Sequence, residues 1–151
     1  MSLENNENTS NRGLSESLGD IVALNSDLFF GVRISNQLKA QGYAVSLRKS
    51  SEAFAEQART VDAVLGVIDL NAKPDWERIA AFVNEVGEHT PVLVFGSHLD
   101  VDGLRAAKAA GARRVVSNGE FHQNMIELVK RYARSPAVVE APPLNSQAAP
   151  L

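Results

Sequence analysis

The chain has 151 residues, 44% of them hydrophobic, which is the size of one domain with a substantial core. A net charge of −3 with 22% charged residues offers neither a basic surplus for nucleic acid nor an acidic block for cations. Cysteine is absent, which excludes disulfides, thiolate metal sites and cysteine nucleophiles.

Both ends read as tails. Residues 1–18 are rich in Asn, Ser and Glu, and residues 135–151 mix Pro, Ala and Ser without a helical stripe. Neither segment buries enough apolar surface to offset its ordering entropy, so disorder is expected there and a folded domain over 19–134. The opening MSLENNENTSNRG has no basic start and no apolar stretch, and no apolar run is long enough to span a bilayer. The expectation is a cytoplasmic chain without membrane or nucleic-acid contact.

Within 19–134, apolar runs alternate with helical stripes. Residues 21–24 form a short buried run, and Phe30, Ile34 and Leu38 then recur at helical spacing up to Gly42. Residues 43–47 read as a second strand and 51–59 as a short helix. The run AVLGVI at 63–68 is apolar on both faces, as a central parallel strand must be. Ile79, Phe82, Val83 and Val86 stripe the next helix, and 91–95 is a fourth strand. Ser97 with Asp100 fits a capping box opening an Ala-rich helix that ends at Gly111. Val115 and Val116 mark a fifth strand, and Met125, Leu128, Val129 and Tyr132 stripe a last helix. Aromatics make up only 6% of the chain, so the core is expected from Val, Leu, Ile and Ala. Five strands alternating with five helices predict an α/β fold, a single doubly wound parallel sheet with helices on both faces.

Chemistry in such sheets gathers beyond the carboxyl ends of the strands. The residues expected there are Asn25, Ser26 and Asp27 after the first strand, and Asp69 with Asn71 after the third. Gly96, Ser97 and His98 follow the fourth, and Ser117 and Asn118 the fifth. No Gly-rich phosphate cradle and no Gly-x-Ser-x-Gly elbow is present.

The stretch IVALNSD, the helix running to QGYAV, the spacing from Gly42 to Asp69, PVLVFGSH and AAKAAGARRVVSN together resemble the receiver domains of two-component response regulators. The resemblance spans nearly all of 20–134. It implies the flavodoxin-like strand order 2-1-3-4-5 and places Asp69 at the phosphoacceptor position. Receivers hold Mg²⁺ with that aspartate and two acids after the first strand, and a lysine after the fifth strand pairs with the phosphoryl group. A Thr or Ser after the fourth strand swings toward the group, and an aromatic on the fifth strand reports the swing.

This sequence departs from that pattern at most positions. Asn25 and Ser26 stand where the acidic pair belongs, and Asp27 falls one residue late, at a helix start where an acid suits the dipole. Asn118 stands in place of the lysine and Gly119 in place of the following proline. Gly96 replaces the switching hydroxyl, with Ser97 beside it, and Val115 replaces the aromatic. Asn71 and His98 match the two variable positions that tune water access. His98 is read as a solvated loop residue, with metal, anion and pH-sensing roles as alternatives, and Arg113 and Arg114 as a solvated rim.

Magnesium yields its waters only to a strongly anionic cage. Each opposite-charge contact is worth a gross ~4 kcal/mol at an effective dielectric of ~20, so losing two carboxylates removes most of the attraction. The expected function is therefore a pseudo-receiver, a stand-alone signalling module without enzymatic activity and without a cofactor, acting through protein partners. A histidine kinase is one such partner, and a homodimer through the fourth helix, fifth strand and last helix is another arrangement. There Ala106, Ala107, Ala109 and Ala110 permit close approach, or simply pack on the sheet. Two further readings remain: a slow phosphoacceptor using Asp69 with Mg²⁺ near Asn25, Asp27 and the Asn71 carbonyl, and a small-ligand or anion sensor using helix amides near Ser26 and Ser97.

Overall fold

The structure, a computed structural model, describes residues 17–135. The expected tails fall outside the described residues apart from Ser17, Leu18 and Ser135. Leu18 joins the fold: its N–H donates to the Gly42 carbonyl at 3.0 Å, and its side chain packs against the core.

Five parallel strands, β1 (Asp20–Leu24), β2 (Ala44–Arg48), β3 (Leu65–Asp69), β4 (Val92–Gly96) and β5 (Arg114–Ser117), lie in the order β2-β1-β3-β4-β5. This is the doubly wound order expected. The helices are α1 (Leu28–Ala40), α2 (Ser51–Thr60), α3 (Trp76–Val86), α4 (Val101–Ala109), α5 (Asn118–Gln123) and α6 (Met125–Tyr132), with a 3₁₀ turn at Leu70–Ala72. No helix among the described residues is long and apolar enough to cross a membrane.

Alternation along the strands divides the core into two layers. Ile21, Ala23, Leu65, Val67, Leu93, Phe95 and Val116 pack with Ile34 and Leu38 of α1, Phe121 of α5, and Met125, Leu128 and Val129 of α6. Val22, Leu24, Ile68, Val92 and Val94 face Phe54 of α2, Ile79 and Phe82 of α3, and Ala107 of α4. Strands buried on both faces explain the continuous apolar runs in the sequence. The core is not purely aliphatic as composition suggested: Phe54, Phe82, Phe95 and Phe121 are its largest fully buried side chains. Phe54 meets Phe82 edge-on and Phe95 stacks on Phe121, so a few aromatics fill the centre of each layer.

Three local expectations are corrected. Six helices stand where five were expected: the last lies where its stripe put it, and an additional helix precedes it, divided from it at Asn124, whose φ of −123° and ψ of 30° are not helical. The additional helix, α5, is opened by Ser117, which accepts the Glu120 N–H at 3.1 Å. Ser97 does not cap α4. Asp100 does, accepting the Gly103 N–H at 2.9 Å, while Ser97 Oγ accepts the Leu99 N–H inside the preceding turn. Both residues are able to cap, and the turn closed by the Asp100 N–H on the Ser97 carbonyl starts the helix later. Arg114 is not a solvated rim residue: it reaches across to the Tyr132 hydroxyl at 2.9 Å and to Glu120 at 3.2 Å.

Candidate functional site at the carboxyl edge of the sheet

Asp69 ends β3 and pairs in register with Phe95 of β4, so both side chains project toward the α1 and α5 face. Only 2% of its surface is exposed. Its carboxylate is held by neutral donors. The Asn71 N–H reaches Oδ1 at 2.9 Å, and Asn25 Nδ2 reaches Oδ2 at 3.3 Å. Burial pushes the Asp69 carboxyl above the ordinary aspartate range, and the negative charge of Asp27 acts in the same direction. The Asn71 and Asn25 donors and the positive potential of His122 oppose the rise.

Asn25 is buried just past β1, and its side chain is accommodated by Gly31. A Cβ at position 31 would stand 2.7 Å from Asn25 Oδ1 and 3.0 Å from Leu47 Cδ1. Ser26 is exposed. Asp27 caps α1, accepting the N–H groups of Phe29 at 2.8 Å and Phe30 at 3.2 Å. That engagement directs the Asp27 carboxylate at the helix amides, as suits an acid at the N-cap of a helix.

Across the site, Gly96 ends β4 beneath the 3₁₀ turn. A Cβ there would stand 2.7 Å from both Cβ and Cγ of Leu70, and closer still to Cδ1. Leu70 is itself buried, so its side chain takes the room that a residue larger than glycine at position 96 would need. The turn carrying Leu70 closes with Lys73 in the left-handed region at φ 56°, which reverses the chain before Pro74. Ser97 lies half-buried and His98 exposed beyond the strand end, and Asn118 is the half-buried first residue of α5.

The structure thus joins Asp69, Asn25 and Asn71 in one hydrogen-bonded group and leaves Ser26, Asp27, Ser97 and His98 in other local roles. Among the described residues, no three His, Asp or Glu side chains converge as a metal site. The donor set fits Mg²⁺ poorly. Magnesium requires hard oxygen ligands in octahedral order, whereas the Asn25 amide presents its N–H to the very carboxylate that would bind the ion.

Sequence spacing left one residue of this edge out. His122, in the last turn of α5, lies against Phe30 at a centroid distance of 4.5 Å and edge-on to Phe95 and Phe121 at 5.5 and 5.3 Å. The residue as a whole is half-buried, and both ring nitrogens are shut off from solvent with no hydrogen-bond partner among the described residues. The Ser117-x-x-Glu120 pattern just before it was the available signal that a helix begins there.

No protein-family model matches the sequence, and no curated protein sequence matches it. Solved structures do match. The chemotaxis response regulator CheY4 of Vibrio cholerae superposes with a TM-score of 0.66 at 16% identity, covering 77% of this chain and 99% of that one. The receiver domain of the TMAO respiratory system response regulator TorR gives 0.63 at 18% identity, covering 76% and 98%. The receiver domain of NtrX from Brucella abortus gives 0.65 at 13% identity, covering 75% and 97%. At such identities the likeness is one of architecture, and on that ground the chain has the fold of response-regulator receiver domains.

Proposed function

We propose that this chain is a receiver-type signalling module that acts through protein contacts, with its phosphotransfer chemistry largely lost. The observation that carries the reading is the neutral setting of Asp69, with Asn25 Nδ2 donating to it at 3.3 Å from the position where a metal-binding acid would stand. Phosphoryl transfer to a carboxylate relies on a metal and a cation to neutralise the charge that builds on the transferring group. Asn25, Ser26 and Asn118 supply neither carboxylate nor ammonium. Leu70 packed at Gly96 likewise occupies the side of the site where a switching hydroxyl would move.

The partners are proteins, a histidine kinase or another signalling protein among them. A second copy engaging α4, β5 and α6 is a further arrangement, although Ala107 and Ala110 are buried against the sheet and only Ala109 of the alanine set is fully outward. The test is intact mass after incubation with acetyl phosphate and Mg²⁺. The expected result is no phosphate increment. A lasting single-phosphate increment that vanishes in Asp69→Ala would overturn the proposal and install the phosphoacceptor reading.

A further inference from the structure

A buried imidazole ordinarily donates one N–H and accepts at its other nitrogen. Among the described residues His122 does neither, although leaving a buried polar group unpaired destabilises a fold. The walls around it are the rings of Phe30, Phe95 and Phe121, with Phe95 and Phe121 stacked at 4.1 Å and 3°. A phenylalanine or leucine would fill this space without that penalty. What the imidazole adds is the ability to change charge near neutral pH.

We propose that His122 is an acid-operated latch: neutral, it lies inside the aromatic box and ties α1 to α5, and protonated, it leaves the box and frees the first turn of α1. The protonated ring carries a second N–H and a full charge, and three phenyl rings offer neither an acceptor of ordinary strength nor solvation. A polar exit lies beside it. A cleft of about 200 Å³ is lined by His122 itself, by the polar side chains of Gln37 of α1, Gln123, Asn124 and Glu127, and by Met125 and Ile126. The Glu127 carboxylate there is a suitable partner for an imidazolium. The hinge is also in place, because Asn124 separates α5 from α6 with non-helical angles and α6 has no side-chain cap.

The charged groups facing the ring act in opposite senses. Burial pushes the His122 pKa below the ordinary histidine value of 6.5, Arg33 of α1 pushes it further down, and Asp69 of β3 pulls it back up. From β4 and α5 the ring meets Phe95 and Phe121, which carry no charge, and from α6 the nearby carboxylate is Glu127. With the folded pKa below 6.5, the tie is complete above that value and is lost as pH falls through the lowered one. Opening removes the ring packed against Phe30, two residues from Leu28 and one from Phe29, which are 75% and 85% exposed at the mouth of the site. Acid therefore alters the apolar surface bordering Asp69. The latch involves no phosphoryl chemistry, so an acetyl phosphate result of either kind leaves it standing.

The test is a proton–carbon NMR titration of the full chain, which has only three histidines. His122 is expected to titrate below the ordinary value, with the ring signals of Phe30 and Phe121 moving at the same midpoint. Arg33→Gln should raise that midpoint, and Asp69→Asn and Glu127→Gln should lower it. His122→Phe keeps the box filled and should abolish the shared step in the Phe30 signals. A midpoint at or above the ordinary value, phenylalanine signals indifferent to it, or a step that survives His122→Phe overturns the latch. Should His122→Phe fail to fold, the wild-type titration with the Arg33→Gln and Glu127→Gln shifts decides alone.

Discussion

Replacing Asn25 by Asp converts the donor facing Asp69 into a second carboxylate with almost no change of shape. Both positions are buried, with 5% and 2% of their surfaces exposed, and the atoms concerned are 3.3 Å apart. Two negative charges at that distance repel by a gross ~5 kcal/mol at an effective dielectric of ~20. The pair limits this cost by keeping one proton at pH 7. For a carboxyl that otherwise titrates near ~4, that costs about 1.4 kcal/mol per pH unit, or roughly 4 kcal/mol in all. The retained O–H replaces the lost N–H as donor, so the hydrogen-bond term nearly cancels. The expected loss at pH 7 is about 3–4 kcal/mol. The sign follows from linkage: the folded pair binds its proton more tightly than the unfolded chain, so the loss grows as pH rises above the unfolded carboxyl range and shrinks below it. Urea unfolding at a series of pH values reads this directly, as a midpoint that drops at neutral pH and returns toward wild type in acid with an unchanged slope. The variant places a second carboxylate beside Asp69, so millimolar Mg²⁺ should stabilise it and leave the wild-type chain unaffected. Equal stability of variant and wild type at pH 7, or a loss of the same size in acid, would show that the Asn25 amide does not face Asp69. Stabilisation of the wild type by Mg²⁺ would refute the reasoning about the metal.

Three other changes test neighbouring parts. Asp69→Asn removes a charge whose burial raises its pKa, so the protein should be more stable than wild type at pH 7. The difference should disappear as pH falls below the ordinary aspartate range, read by thermal melts across pH. Gly96→Ser drives a Cβ into Leu70 and should cost about 1–3 kcal/mol in urea unfolding. Adding Leu70→Ala should recover part of that loss, a coupling visible in a double-mutant cycle. Arg134→Ala removes a guanidinium that bonds the His89 carbonyl at 2.7 Å, the Asp62 carbonyl at 3.0 Å and the Ala63 carbonyl at 3.2 Å. It should cost about 1.5–3 kcal/mol and speed hydrogen exchange in the last turn of α6.

The architecture was legible because periodicity reports burial, and burial in a parallel sheet is simple. AVLGVI, flanked by helical stripes, reads as a strand covered twice, and Phe30, Ile34 and Leu38 read as the inner face of α1. Asp69 was legible for the same reason, since it is the first polar residue after such a run. What escaped the sequence depends on which residue of one element meets which of another. Nothing local says that Leu70 turns inward onto Gly96, or that Ser97 yields the cap of α4 to Asp100. The six residues of α5 hold one apolar side chain of any size, Phe121, too few for a stripe, which hid the helix even though Ser117 and Glu120 form its capping pattern. His122 escaped for the most physical of these reasons. Spacing can pair it with another ligand or fail to, but only the assembled fold puts three phenyl rings around it.

Asp69 and His122 therefore deserve to be considered together. The raised pKa of the buried Asp69 carboxyl and the unpaired ring nitrogens of the half-buried His122 both work against stability near neutral pH. Each gives up stability at the same edge of the sheet, and local rules broken without compensation are expected where a protein does its work. Burial moves the two groups toward each other on the pH scale, the carboxyl up and the imidazole down, and each favours the charged form of the other. By reciprocity, a change of charge at Asp69 shifts the His122 equilibrium, and protonation of His122 favours the ionised form of Asp69 for as long as the ring stays in the box. Asp69 is thereby joined to α1 through the imidazole and Phe30, a route that uses neither Gly96 nor Val115.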